Sequence, residues 1–297
     1  TGRRKIYDPL LINFPKINQA YCYRCPYNSK YPECGLACAY ELEKEILRLG
    51  AMNVAAFIAE PVIGSAAPGV NPPKEYFKVI REICTKYDVL LIIDEVMAGY
   101  GRTGEKFATY HYGIVPDIMT TAKGMSSGYS PLGATIANDE VFNKIMVDGT
   151  GEFVHGHTYG GNPLSAAVAN CVMNIIERDN LVENSKVQGE YLMEKLQNLY
   201  KYPIVGDIRG KGLMIGIEFV KDQKTKEPFE PSAKVKGLIT TNCLDEGLVV
   251  YPGGGSVDGV RGDHILISPP INITREQVDE LYSMLERGVE RTAKAVL

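Results

Sequence analysis

The chain has 297 residues, 45% hydrophobic and 23% charged, and sets 32 Lys and Arg against 36 Asp and Glu for a formal net charge of -4. That is enough chain for a large core and two domains, and with no basic block it excludes nucleic acid and anionic membrane surfaces as partners in favour of small molecules. No apolar run reaches the ~20 residues of a membrane span and Thr1-Gly-Arg-Arg4 leads into no signal-peptide core, so the expected compartment is the cytoplasm.

Residues 1–16 mix basic side chains with Tyr7-Asp-Pro-Leu-Leu-Ile-Asn-Phe14 and show no helical periodicity, which reads as the middle of a domain. An aromatic and cysteine-rich loop follows, Tyr21-Cys-Tyr-Arg-Cys-Pro-Tyr27 with Tyr31-Pro-Glu-Cys-Gly-Leu-Ala-Cys38. The pattern then predicts a helix over 39–49 ended by Gly50, a buried strand over 54–59 stopping at Glu60-Pro61, and a helix over 75–87 introduced by Pro72-Pro73. Next comes Val89-Leu-Leu-Ile-Ile93, short, apolar and without alternation, as a strand buried on both faces of a parallel sheet should be. It runs straight into Asp94. A second short strand over 117–121 puts Lys123 just past its end, and the alternation of strand and helix is that of a βαβ sheet.

A strand over 132–137 comes next, with Asn138 placed to cap the following helix. His155-Gly-His-Thr-Tyr-Gly-Gly-Asn-Pro163 is a polar Gly-rich loop, and Pro163 suits the first turn of a long Ala-rich helix. Near residue 175 the texture changes to an amphipathic helix over 181–199, a strand over 212–220, a helix over 232–246 closed by Gly247, two short strands and a last helix from Arg275. The expected architecture is therefore α/β: residues 1–175 form a large domain on a mostly parallel sheet with flanking helices, and residues 176–297 form a smaller α+β domain.

The carboxyl ends of the strands in open α/β sheets are where ligands bind, and here an acid and an amine meet at that edge. Asp94 alone would be an ordinary cap or turn residue, and Lys123 alone a solvated charge. Together they suit chemistry in which a lysine bonds an aldehyde cofactor and a carboxylate keeps the cofactor's pyridine nitrogen protonated. Gly99-Tyr-Gly-Arg-Thr-Gly104 matches the dinucleotide fingerprint letter for letter. That fingerprint should open a long helix at once and carry an acid at the end of the next strand, whereas Asp117 precedes its strand, so the glycines read as a tight loop.

Leu91-Ile-Ile-Asp-Glu-Val-Met-Ala-Gly-Tyr-Gly-Arg-Thr-Gly104, Pro116-Asp-Ile with Ala122-Lys-Gly, Pro131-Leu-Gly-Ala, and His157-Thr-Tyr-Gly-Gly-Asn-Pro163 together resemble the signature of class III aminotransferases dependent on pyridoxal 5'-phosphate (PLP). The motifs keep the family's order and spacing along the whole chain. The resemblance implies fold type I, with Lys123 bonding the cofactor as a Schiff base, Asp94 pairing with the pyridine nitrogen, Val96 packing on the ring face and Glu60 as a site-facing acid. It also implies that Thr158 hydrogen-bonds the cofactor phosphate of a neighbouring subunit, so that the working unit is a homodimer or a dimer of dimers. Family members carry, upstream, a Gly-Ser phosphate loop and an aromatic residue stacked on the ring; neither occurs here in the required place, so the chain is expected to be part of a longer enzyme. Gly253-Gly-Gly-Ser256 reads as a flexible turn.

The implied reaction is a ping-pong transfer between an amino donor and a keto acid. A decarboxylase or aminomutase could use the same lysine and aspartate, because bond choice follows substrate orientation. From other classes, a nicotinamide dehydrogenase would need the Gly99 loop to hold pyrophosphate, and a metal-stabilised interaction module would rest on the cysteines. Arg261 is the candidate substrate-carboxylate clamp, since guanidinium grips carboxylate in bidentate fashion. Relatives acting on amines with pyruvate carry an arginine three residues before the glycine of Gly-Asp-His, and Gly259 occupies that place here. Cys22, Cys25, Cys34 and Cys38, spaced C-x2-C-x8-C-x3-C, fall within what zinc tolerates. A chain with its own core needs no metal staple, and the expectation is that these thiols pack among tyrosines and prolines, with no metal and no disulfide.

Overall fold

The computed structural model describes Arg4 and residues 6–297. Two four-stranded sheets organise the chain. The first contains, in spatial order, β1 (Ala56–Ala59), β2 (Leu90–Asp94), β3 (Ile118–Thr121) and β4 (Ala134–Ala137); β1–β2 and β2–β3 are parallel and β3–β4 is antiparallel.

Helices α1 (Ala37–Leu49) and α2 (Tyr76–Lys86) cover one face of this sheet. Each is amphipathic at helical spacing: Ala39, Leu42 and Ile46 on α1, with Phe77, Ile80 and Ile83 on α2, meet Leu91 and Ile93 of β2 in one core. Burying each of the larger side chains is worth about 1.5–3 kcal/mol. The opposite face is different. Along β2 the burial alternates, Leu90 being 36% exposed between buried neighbours, and Ile58 of β1 is 60% exposed. The apolar run 89–93 is thus sealed on one side, not two, because among the described residues α1 and α2 supply cover to a single face.

The second sheet has the order β5 (Val205–Lys211), β6 (Met214–Phe219), β8 (His264–Ile267), β7 (Tyr251–Gly253), and all its pairings are antiparallel. Its core is built with α5 (Leu181–Leu196), α6 (Val235–Asp245) and α7 (Arg275–Val296), through Leu192, Leu196, Ile239, Cys243, Leu281 and Leu285. In chain order α3 (Asp139–Met146) and α4 (Pro163–Arg178) follow the first sheet; the Asn138 cap and the place of Pro163 are as expected, and the Asn162 cap is an addition. Asn138 Oδ1 accepts the Val141 N–H at 2.9 Å, and Asn162 caps α4 with Pro163 in its first turn. Residue 175 lies within α4.

The sequence pattern does not predict strand β5. Its Val-Gly-Asp-Ile-Arg-Gly-Lys string alternates charges and glycines, and it is a strand because those charges have a partner surface. Arg209 bonds Asp207 at 2.9 Å and the Pro68 carbonyl at 2.9 Å. Beside it Glu218, fully buried, accepts Arg24 Nε at 2.5 Å and the Tyr21 hydroxyl at 2.6 Å, so the aromatic loop is pinned to the second sheet.

A second weld is made by main chain alone. A Cβ built on Gly189 of α5 would meet the Gly212 carbonyl carbon at 2.3 Å, and one built on Gly212 (φ +52°) would meet the Thr103 carbonyl carbon at 2.4 Å. Three backbone segments touch where any side chain would force them apart. No helix among the described residues is long and apolar enough to cross a membrane.

Candidate active site

In the parallel register Asp94 stands opposite Thr120, so the end of β2 lies beside the end of β3 and Lys123 follows just beyond. Lys123 has φ +42°, left-handed and uncommon for a residue with a Cβ, and it opens the single turn Lys123–Met125. Strain of this kind concentrates at functional positions. The turn is tied down from behind: Ser126 Oγ donates to the Ser130 carbonyl at 2.6 Å, and Ser130 Oγ meets Ser165 Oγ of α4 at 2.7 Å.

Asp94 is oriented by its own turn, the Val96 N–H donating to Oδ1 at 2.9 Å. Glu60, leaving β1, is held in the same manner by the Gly64 N–H at 2.8 Å. Burial pushes the Glu60 carboxyl above its ordinary range; the Gly64 N–H opposes this, the Asp94 charge adds to it and the Lys123 ammonium works against it. Glu60 therefore lies within electrostatic reach of both Asp94 and Lys123, and the three strand ends deliver two carboxylates and one amine to one place. Next to Asp94, Glu95 is buried with Oε1 accepting the Thr109 N–H at 2.8 Å, while burial raises its carboxyl too. Glu95 thus anchors the turn after β2 from beneath.

That turn holds no long helix. It runs through Gly101 (φ +88°) and Gly104 (φ +83°) to the short 3-10 segment Ala108–Tyr112, so Gly99–Gly104 does not open a dinucleotide-binding helix. It forms one wall of a cavity of about 420 Å³ lined also by Lys123, by Val172, Ile175 and Leu181, by Met214 of β6 and by Ile271. Arg102 lines it as well. The sequence does not single this residue out as a site residue, because it sits inside the glycine pattern; the signal available was a lone guanidinium within a Gly-rich turn.

The remaining candidates lie elsewhere. Thr158 is exposed in a wholly exposed loop and makes no side-chain hydrogen bond among the described residues. Arg261 is engaged by Asp258 at 2.8 Å and Glu230 at 3.1 Å and is not in the cavity wall. The Asp258 carboxyl is pulled down to about 2, first by the Arg261 N–H and then by its guanidinium. Cys22, Cys25, Cys34 and Cys38 line a separate small cavity of about 20 Å³ with Tyr27 and Tyr31, and all seven cysteines are free. Burial pushes the Cys38 thiol up to about 11, with Cys22 and Cys34 contributing.

An amine and an acid on adjacent parallel strand ends fit PLP at its aldehyde carbon and its ring nitrogen. The fold is that of the PLP fold type I transaminases: a solved amine transaminase from an uncultivated Pseudomonas species, in a PLP-bound form, superimposes with a TM-score of 0.86 at 36% identity over 93% of this chain and 61% of that one. The model of the family "Aminotransferase class-III" matches residues 1–289, and this chain belongs to that family. It is 38% identical to the uncharacterized aminotransferase YodT of Bacillus subtilis over 293 residues, 98% of this chain and 66% of that protein. It is 41% identical to the putrescine–pyruvate aminotransferase of Pseudomonas aeruginosa over 282 residues, 95% of this chain and 59% of that protein. The chain thus spans about three fifths of the length of the relatives it matches.

Proposed function

We propose that this chain is the core of a PLP-dependent transaminase that moves an amino group from an amino acid or amine to a keto acid. The observation that carries the reading is the placement of Asp94 and Lys123 on the carboxyl ends of adjacent parallel strands, with family membership beside it. PLP, when bound, supplies an aldehyde carbon and an electron-accepting ring. Asp94 would hold the proton on the ring nitrogen, a role suited to a carboxylate already oriented by the Val96 N–H. Lys123 Nζ would secure the aldehyde and, when released as a free amine, act as the base that takes and returns the proton on the donor carbon. Glu60 keeps a carboxyl beside both, less readily ionised than usual. Val96 would pack on the ring face.

Thr158, exposed and without a side-chain hydrogen-bond partner among the described residues, supports a phosphate contact made across to a neighbouring subunit, hence a working unit of at least two chains. An active monomer in sedimentation of the intact enzyme would remove that part. Seven free thiols suit a reducing compartment such as the cytoplasm, and the four in the aromatic loop are read as packing residues; one zinc per chain, lost on thiol alkylation, would count against this. The chain divides into units at about residue 175.

The experiment is an absorbance titration of the intact enzyme loaded with PLP. The yellow band should bleach on adding an amino donor and return on adding a keto acid. Bleaching with carbon dioxide release, and no return with any keto acid, would indicate a decarboxylase.

A further inference from the structure

An arginine has five N–H donors, and those of Arg102 can be accounted for one by one. Nη1 gives both hydrogens to main chain, to the Leu213 carbonyl at 3.1 Å and the Pro269 carbonyl at 2.5 Å. The Nε–H and the two hydrogens on Nη2 have no hydrogen-bond partner among the described residues, and neither nitrogen is among the sealed polar atoms left without one, so solvent reaches them. Burial alone lowers the guanidinium to about 10, with no carboxylate offsetting it. A cation taken from water without a counter-ion is costly. The free edge, Nε with Nη2, is the one that grips a carboxylate with two parallel hydrogen bonds, and it belongs to a side chain lining the same cavity as Lys123, against an otherwise largely apolar wall.

We infer that Arg102 receives the carboxylate of the substrate, and that the favoured substrates are carboxylates with an apolar body that lies along Val172, Ile175 and Leu181. Arg261, which pairs Nε with Asp258 and Nη1 with Glu230 and does not line this cavity, is then a surface ion-pair residue.

The inference rests on the transamination reading, and the test keeps the two apart. The intact PLP-loaded enzyme is assayed with one amine donor and two acceptors, a keto acid and the aldehyde of the same carbon skeleton. No turnover of either acceptor by the parent enzyme overturns the transamination reading and the inference with it. Given turnover, Arg102→Gln should raise KM for the keto acid roughly 10- to 100-fold, the value of a charge-assisted contact, and leave KM for the aldehyde unchanged. An unchanged keto-acid KM, or equal losses on both acceptors, overturns the inference, the second meaning that Arg102 only holds the cavity wall. If Arg102→Gln is not recovered folded, Arg102→Lys decides, because it keeps the charge and loses the fork. Calorimetric titration with hexanoate, a monocarboxylate with an apolar body that cannot react, gives a readout free of turnover: the parent should bind it and Arg102→Lys should lose most of that binding, whereas a parent that does not bind hexanoate overturns the inference. Arg261→Ala should leave the keto-acid KM unchanged; a tenfold rise would move the clamp to Arg261 and overturn the assignment to Arg102.

Discussion

Arg102 and Leu213 hold each other twice: the Leu213 N–H donates to the Arg102 carbonyl at 3.0 Å, and Arg102 Nη1 donates to the Leu213 carbonyl at 3.1 Å. Ser185 Oγ adds a third bond to the same Arg102 carbonyl at 3.1 Å. The turn after Asp94 is thereby fixed to the second sheet, and the lysine, the acid and the far wall of the cavity share one rigid frame.

Lys123→Ala should leave no covalent attachment point for the cofactor. Borohydride treatment of the intact enzyme should trap PLP on the peptide containing Lys123, and the variant should retain none after denaturation. An adduct mapped to another lysine would refute the assignment.

Asp94→Asn should still trap the cofactor on Lys123 while losing roughly 100-fold or more in kcat, because an amide supplies no charge to hold the pyridine nitrogen protonated and each pKa unit is worth about 1.36 kcal/mol. The Val96 N–H keeps its acceptor in this variant, so the loss is chemical and not a collapse of the turn. Near-parental turnover would count against the role given to Asp94.

Glu60 predicts a pH dependence of stability. Its folded carboxyl is raised above the ordinary 4.5 by burial, with Asp94 adding to the effect. The folded state therefore holds more protons than the unfolded chain in the window just above 4.5, and stability falls as pH rises through that window. Glu60→Gln should flatten the fall, measured by denaturant midpoints at a series of pH values. A parallel pair of profiles would show that Glu60 is not coupled as described.

Glu218→Gln should destabilise the protein by about 3–5 kcal/mol, since it strips a buried carboxylate from its arginine partners. Arg24 would lose its only ion pair among the described residues, whereas Arg209 keeps Asp207. Chemical denaturation is the measurement, and limited proteolysis near Arg24 should show the aromatic loop released first. A change under 1 kcal/mol would mean the loop is held by Tyr21 and its neighbours instead.

The first sheet is legible in the sequence because its information is local. Apolar runs, Gly50 after α1, the polar cap Asn138 and Pro163 in the first turn of α4 mark elements to within a few residues, and Asp94 and Lys123 stand out as polar residues closing strands. Arg102 is not legible in that way. Its meaning depends on carbonyls 111 and 167 residues along the chain, which turn two of its five donors inward and leave an edge free. Strand β5 fails for the same reason: Arg209 and Asp207 pair with each other, but the partners that fix them to the fold, Pro68, Tyr21 and Glu218, are distant in sequence or on another strand. Burial of β2 on one face only is likewise a property of what packs on it, which an apolar run cannot specify.

The contact of Gly189, Gly212 and Thr103 limits how this scaffold can be varied. A glycine inside a helix is about 0.5–1 kcal/mol worse than alanine on conformational grounds, yet alanine at 189 would drive its methyl into the Gly212 carbonyl. Two positions far from any reacting atom are thus reduced to a one-letter alphabet, while Glu190, next door and exposed, is open to exchange. A library aimed at new substrates can randomise the part-exposed wall residues Ile175 and Leu181 with little risk to the frame, but the same library extended to residues 189 and 212 should return glycine alone among folded members, since the route by which the second sheet registers against the lysine has no slack to absorb a single carbon.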